Sequence, residues 1–66
     1  MATIKSIGAN IAKTRLSRGL TQEKLANEAD IDRSYISDIE NGKANITMGM
    51  FLTICSVLQV NPKELL

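Results

Sequence analysis

The sequence is poor in the residues on which enzymatic and metal chemistry most often depends. Its 66 residues include no histidine, no tryptophan and a single cysteine, Cys55. An intrachain disulfide, a zinc site of the usual His/Cys spacing and a Ser/Cys–His catalytic pair are therefore excluded. We expect no enzymatic activity, no metal and no cofactor, and we interpret Cys55 as a small core residue rather than a redox switch.

Long apolar segments are also missing. No run is long enough to span a membrane, and the first residues lack the apolar stretch of a signal peptide. We therefore expect a reduced, cytoplasmic compartment and no membrane partner. With one Tyr and one Phe the core must be aliphatic, and residues 1–66 suffice for a single domain with one small core. Dimerisation would supplement so small a core.

Charge gives only a weak signal. The formal net charge is +1. Residues 1–20 contain four basic residues and no acid, whereas residues 21–42 contain six acids and two bases. A polyanionic partner responds to bases that share one face of the fold rather than to the net charge. The charge pattern therefore neither establishes nor excludes such a partner.

Apolar spacing and capping residues predict a compact all-α chain of five helices, with no strand. The first helix spans about residues 3–18, where apolar residues recur close to a helical period. These apolar residues are Ile4, Ile7, Ile11 and Leu16. The predicted N-caps of the other four helices are Thr21, Asp32, Thr47 and Asn61, and the predicted helix-ending glycines are Gly19 and Gly42. The chain turns at residues 30–31, and the third and fourth helices run to about Asn41 and Leu58.

The third helix has two contrasting faces. At about 100° per residue from Arg33, Ile36 and Ile39 lie near 300° and 240° and define its inward side. The opposite side carries Ser34, Ser37, Asp38 and Asn41, and it is flanked by Arg33 and Tyr35. Such a face is often no more than a solvated surface. Serine, however, is a mediocre helix former whose short side chain permits close approach, which favours insertion of this face into the DNA major groove.

Several segments match the pattern of a known family. They are residues 22–26 (QEKLA), 31–37 (IDRSYIS) and 39–43 (IENGK), with further matches at 15–22 (RLSRGLTQ) and 61–65 (NPKEL). The chain resembles the phage-repressor-type (Cro/C1-like) helix-turn-helix proteins over essentially its whole length. Its small size and the string DRSYIS look most like the controller proteins of restriction–modification systems.

The resemblance implies a five-helix, lambda-repressor-like domain with its helix-turn-helix at about residues 21–41. Such proteins bind pseudo-palindromic operators in double-stranded DNA as homodimers, with the third helix in the major groove. The implied base-reading residues are Arg33, Ser34, Tyr35, Ser37 and Asp38. The implied phosphate-binding residues are Thr21, Gln22, Asn41 and Lys43. We expect the chain to act at the nucleoid, with no small-molecule effector.

Two of these assignments leave alternatives. Arg33 suits a bidentate contact to guanine, but it could instead neutralise a phosphate. Asp38 either accepts a hydrogen bond from a cytosine amino group or points away from the bases. Ala44 stands where many relatives carry a basic residue, so no minor-groove contact is assigned to this position.

Arg15 and Glu40 form a separate pair of interest. Relatives with these residues join the first and third helices by an ion pair. We expect the same structural pair here, because Glu40 lies beside the apolar stripe of the third helix. The alternative is that Arg15 contacts a phosphate.

The fourth helix has more apolar residues than one core face needs. Met48, Phe51, Cys55 and Leu58 form one predicted stripe, with Leu52 and Ile54 beside it. The residues outside it are assigned to a dimer interface, together with residues near the C-terminus: Met50, Val57, Val60 and Leu66. The alternative is a set of scattered surface hydrophobic residues, which is normal for a soluble protein.

Two further functions compete with the controller hypothesis. A small phage repressor would share most of these motifs. An antitoxin-like protein-interaction module would be distinguished by an extra tail or groove-filling segment outside the helical core. Neither the operator sequence nor the sign of regulation can be read from the residues.

Overall fold

The computed structural model describes all 66 residues as a bundle of short helices. Its four α-helices are α1 (Ile4–Ser17), α2 (Gln22–Ala29), α3 (Arg33–Glu40) and α4 (Met48–Leu58), followed by a 3-10 turn over Pro62–Leu65. The predicted all-α class is confirmed. None of the helices has the length and apolar character that crossing a membrane requires.

The prediction of five helices is wrong by one. After Asn61 the chain forms only a single turn, and its hydrogen bonds join residues three apart, as in a 3-10 helix. The N–H of Glu64 donates to the carbonyl of Asn61 at 2.9 Å, and the N–H of Leu66 donates to that of Lys63 at 3.4 Å. The predicted start signal is nonetheless used, because Glu64 Oε2 accepts the N–H of Asn61 at 2.7 Å.

Three threonines begin three of the helices. The Oγ1 atoms of Thr3, Thr21 and Thr47 accept the backbone N–H three residues further on, at 3.0, 3.0 and 3.1 Å. Each bond satisfies a donor that has no acceptor inside the helix. Asp32 occupies the N-cap position of α3 but makes no such bond. Its carboxylate instead accepts from the hydroxyl of Ser34.

Left-handed residues follow the ends of the helices. Gly19 and Gly42 have φ values of 72° and 71°, as their predicted roles require. Asp30 after α2 and Gln59 after α4 take φ values of 55° and 57° without being glycine. These four residues turn the chain sharply between helices, and in the resulting bundle α3 packs on both α1 and α2 while α4 packs on α2.

One core, aliphatic apart from Phe51 and Cys55, joins all of the helices. Its members are Ile11, Leu25, Ala26, Ile36, Ile39, Phe51, Ile54, Cys55, Leu58 and Leu65. The predicted inward position of Leu16 is wrong, because this side chain is 65% exposed and Arg15 faces inward instead. The physical reason is helical geometry: Arg15 lies four residues after Ile11, whereas Leu16 lies five residues after it, about 140° away from Ile11 around the axis.

The predicted stripe of α4 also needs correction. Phe51, Cys55 and Leu58 are buried as expected, and Ile54 completes the buried face. Met48 and Leu52 are 70% and 48% exposed. They therefore belong to the outward side of α4 and leave that side more apolar than the sequence predicted.

Candidate nucleic-acid interface

The unit formed by α2, residues 30–32 and α3 is a helix-turn-helix. Asp30 takes the left-handed conformation, and the N–H of Ile31 donates to the carbonyl of Ala26 at 2.9 Å, which closes the turn. Leu25 of α2 and Ile36 of α3 are fully buried and hold both helices on the core. The two helices are therefore fixed relative to each other by packing on their inner sides.

The outward side of α3 is polar and accessible. Arg33, Ser34, Asp38 and Asn41 are exposed, and Ser37 and Tyr35 are half-buried. Ile36 and Ile39, on the other side, are 0% and 2% exposed. The division into an inner and an outer side thus follows the spacing of the two isoleucines.

Several of the predicted contact residues are already engaged within the protein. The hydroxyl of Tyr35 donates to the carbonyl of Asn45, which attaches the loop after α3 to α3 itself. The side-chain amide of Asn41 donates to the carbonyl of Ser37 at 2.9 Å. Arg33 makes no side-chain hydrogen bond within the protein and belongs to no ion pair. It is therefore free to reach a ligand.

The N-terminus of α2 opens onto a surface groove. The residues that line it are Arg15, Leu16, Leu20, Thr21, Gln22, Glu23 and Arg33. Two predicted phosphate-binding residues, Thr21 and Gln22, thus share one groove with the predicted base reader Arg33. Asn41 and Lys43 follow the C-terminal end of α3 and do not line this groove.

Arg15 and Glu40 form an ion pair between α1 and the end of α3. Arg15 Nε lies 2.8 Å from Glu40 Oε2, and Nη2 lies 3.1 Å from Oε1. The remaining guanidinium nitrogen, Nη1, donates to the carbonyl of Leu20 at 2.7 Å. The side chains are 9% and 5% exposed. A bidentate pair in this setting fixes both direction and distance between the two helices.

A link between Gln22 and Glu40 was not predicted from the sequence. Gln22 Nε2 donates to Glu40 Oε1 at 2.9 Å, so one carboxylate serves both Arg15 and the first residue of α2. The two residues are 18 positions apart, and no local pattern indicates that they meet. The amide still has one N–H and its carbonyl oxygen for other partners.

Acidic residues lie close to the candidate interface. Glu23 lines the groove at the start of α2, and Asp38 is exposed on α3. Arg15–Glu40 is the one ion pair in the structure, so neither of these two acids is neutralised by a bonded base. No three His, Cys, Asp or Glu side chains converge so as to hold a metal ion. The candidate interface therefore combines polar and basic side chains with isolated acids, and Leu16 and Leu20 add apolar surface to its groove.

Comparison with known proteins agrees with this architecture. A helix-turn-helix family model matches residues 11–65. The control protein C.BamHI of Bacillus amyloliquefaciens is 45% identical over 60 residues, which cover 89% of this chain and 74% of that protein. The control protein C.MunI of a Mycoplasma species is 37% identical over 59 residues, or 88% of this chain and 80% of that protein.

The solved structures agree as well. The restriction–modification controller protein C.AhdI of Aeromonas hydrophila superposes with a TM-score of 0.92 at 32% identity, covering 96% of both chains. The predicted resemblance to the phage-repressor type, and within it to controller proteins, is thereby confirmed. The chain belongs to the Cro/C1-type helix-turn-helix family of DNA-binding transcription regulators.

Proposed function

We propose that this protein binds a pseudo-palindromic operator as a homodimer and controls a restriction–modification operon. The observation that carries the proposal is a helix-turn-helix whose exposed α3 face begins with the unpaired Arg33. The similarity to two control proteins and to a controller of known structure supports the operon assignment. The place of action that follows is the bacterial nucleoid.

Arg33 is the proposed reader of sequence. It is the first residue of α3, and the N-terminal part of a recognition helix contacts base edges in the major groove. The guanidinium fork matches guanine O6 and N7 together. Ser34, Ser37 and Asp38, between Arg33 and Tyr35 on the polar face, are assigned supporting positions, as is Tyr35 at the other edge of that face.

The backbone of the DNA is proposed to bind at the start of α2 and just after the end of α3. Thr21 and Gln22 present the N-terminus of α2, where free N–H groups and the helix dipole favour a phosphate. Asn41 and Lys43 follow the last turn of α3. Contacts on these two segments would fix the register of α3 along the groove, leaving discrimination between bases to the residues of α3 itself.

The proposed dimer interface is the outward side of α4. This helix contains no charged residue, and small side chains run along the middle of its exposed side: Gly49, Thr53 and Ser56. Apolar residues border them, with Met48 and Leu52 on one flank and Met50 and Val57 on the other. Small residues between apolar borders permit close packing of one helix on its own copy across a two-fold axis. Val60 and Leu66 would extend the interface beyond α4.

Footprinting on the DNA upstream of the gene that encodes the protein tests the proposal. We expect two protected half-sites centred one turn of DNA apart, about 34 Å, because each recognition helix of a dimer enters its own groove. An Arg33→Glu variant, which reverses the charge on the reading face, is the matched control and should leave the region unprotected. Uniform weak protection of any DNA, identical for both proteins, would contradict sequence-specific regulation.

A further inference from the structure

The start of α1 lies directly beside the end of the recognition helix. A Cβ built on Gly42, which follows α3, would lie 3.1 Å from Cα, 3.2 Å from Cβ and 3.3 Å from Cγ of Lys5. Gly42 itself has a φ of 71°, so both backbone conformation and available space favour glycine here. Because Gly42 has no side chain, the aliphatic part of the Lys5 side chain can lie against the backbone that leads into Lys43.

Lys5 and Lys43 are both free to bind an anion. Each is exposed, and neither forms an ion pair or a side-chain hydrogen bond in the structure. Glu40 lies three residues before Lys43, but its carboxylate already accepts hydrogen bonds from Arg15 and Gln22. Two unpaired ammonium groups therefore extend from adjacent backbone segments at the same end of α3.

We infer that Lys5 is a further DNA-binding residue, which holds the phosphate next to the one held by Lys43 on the same strand. The inference rests on the proposed function, because it requires α3 to lie in the major groove. A DNA strand that passes the C-terminal end of α3 at Lys43 also passes the first turn of α1. The ammonium of lysine acts as a point charge on a flexible stem, which suits a phosphate contact better than discrimination between bases.

The proposed contact assigns a function to Lys5, a basic residue that lies outside the helix-turn-helix. Of the four bases in residues 1–20, Arg15 is buried in its ion pair and Arg18 donates to the carbonyl of Gln59 at 3.4 Å. Lys5 is the one placed against the segment between α3 and Lys43. The first turn of α1 therefore becomes part of the DNA interface rather than only a support for the core.

The salt dependence of operator binding tests this inference. We expect Lys5→Ala to lower the magnitude of the slope of log Kobs against log[salt] by about 0.9, the value for one phosphate of duplex DNA. When the salt is raised from 50 to 200 mM, the fold loss of affinity should therefore be about 3.5 times smaller for Lys5→Ala than for the unaltered protein. Lys43→Ala should have an effect of the same size, and the double variant should lower the slope by about 1.8. Lys5→Arg should keep the slope of the unaltered protein.

Lys63→Ala is the matched control, because it removes an exposed lysine from the 3-10 turn, which packs on α1 and α4. It should leave the slope unchanged. Circular dichroism of Lys5→Ala should match the unaltered protein, since alanine keeps the Cβ that rests beside Gly42. If the unaltered protein binds the operator and Lys5→Ala leaves the slope unchanged, the inference about Lys5 is overturned, whereas the proposed function is not. Failure of the unaltered protein to bind any DNA overturns the proposed function.

Discussion

Gly8 of α1 lies so close to Ile39 of α3 that a Cβ at position 8 would stand 2.0 Å from the carbonyl oxygen of Ile39. The same Cβ would lie 3.3 Å from the carbonyl carbon of Glu40. Because these neighbours are backbone atoms, they cannot move aside as a flexible side chain could. The position of the recognition helix on the domain therefore depends on a missing side chain in α1.

Gly8→Ala should destabilise the protein by about 1–3 kcal/mol or more, the usual range for overpacking a core. Helix propensity alone predicts the opposite sign, because alanine in a helix is about 1 kcal/mol more favourable than glycine. The free energy of unfolding, measured by urea denaturation, decides between the two effects.

Ala9→Gly is the matched control for that experiment. Ala9 is exposed on the same helix, so only helix propensity should act there, with a loss of about 1 kcal/mol. If Gly8→Ala raised the stability by a similar amount, the close approach of α1 and α3 would not exist in solution.

Removal of either partner of the Arg15–Glu40 pair should cost about 3–5 kcal/mol, because the remaining charge is left buried without a counter-charge. The double variant Arg15→Met/Glu40→Leu should cost much less than the sum of the single losses. A double-mutant cycle based on thermal or chemical unfolding measures this coupling.

Gln22→Ala gives that cycle its control. It removes the second donor to Glu40 but leaves the ion pair intact, so its cost should be that of one hydrogen bond, about 0.5–1.5 kcal/mol. Strictly additive losses for Arg15 and Glu40 would show that the pair contributes no coupling.

Cys55 gives the stability a pH dependence at the alkaline end. Burial raises the pKa of its thiol above the ordinary value of 9.0, although a backbone hydrogen bond acts in the opposite direction. The folded state therefore disfavours the thiolate, and the stability due to this residue is constant at neutral pH and falls as the pH rises above about 9. The difference in unfolding free energy between the unaltered protein and Cys55→Ala, followed from pH 7 to 10.5, should show this fall. A flat difference would contradict it.

Local signals account for most of what the sequence predicted correctly. Threonine caps and left-handed glycines act within three or four residues of themselves, so the starts of α2 and α4 at Thr21 and Thr47 and the end of α3 before Gly42 could be inferred without a tertiary structure. The inner side of α3 followed from Ile36 and Ile39 for the same reason. The family resemblance supplied what periodicity could not, namely the assignment of the chain to the DNA-binding transcription regulators.

The errors arise from small angular offsets around a helix and from contacts between separate elements. Leu16 was grouped with Ile4, Ile7 and Ile11 because its spacing is close to helical, but it lies about 140° from Ile11, and the charged Arg15 turns inward instead to meet Glu40. The last turn had a complete start signal at Asn61, yet a good cap does not determine how many turns follow. The contacts of Gln22 with Glu40 and of Tyr35 with the carbonyl of Asn45 join residues from different elements and carry no local pattern.

Thr53→Lys should dissociate the proposed homodimer. Thr53 is exposed at the middle of the outward side of α4, so a lysine there meets its symmetry mate across a two-fold axis without disturbing the core. Asn27→Lys adds the same charge to an exposed position of α2 and serves as the control. Analytical ultracentrifugation should give a monomer for the first variant and a dimer for the second. A dimer that survives Thr53→Lys would exclude this side of α4 as the interface.

Arg33 permits the sharpest separation of base reading from phosphate binding, because arginine and lysine carry the same charge with different geometry. Arg33→Ala should cost about 1–3 kcal/mol on the preferred operator and relax the choice of one base pair in each half-site. Arg33→Lys should keep the salt dependence but relax that same base pair, since a single ammonium lacks the rigid fork that binds guanine O6 and N7 together. Selection of binding sites from randomised duplexes, with each protein in parallel, reports the base preference directly. Lys43→Ala is the comparison, and it should weaken all sequences alike with unchanged preference. If Arg33→Ala selects the same bases as the unaltered protein and only binds more weakly, Arg33 holds a phosphate at the groove it shares with Thr21 and Gln22, and another residue of α3 reads the sequence.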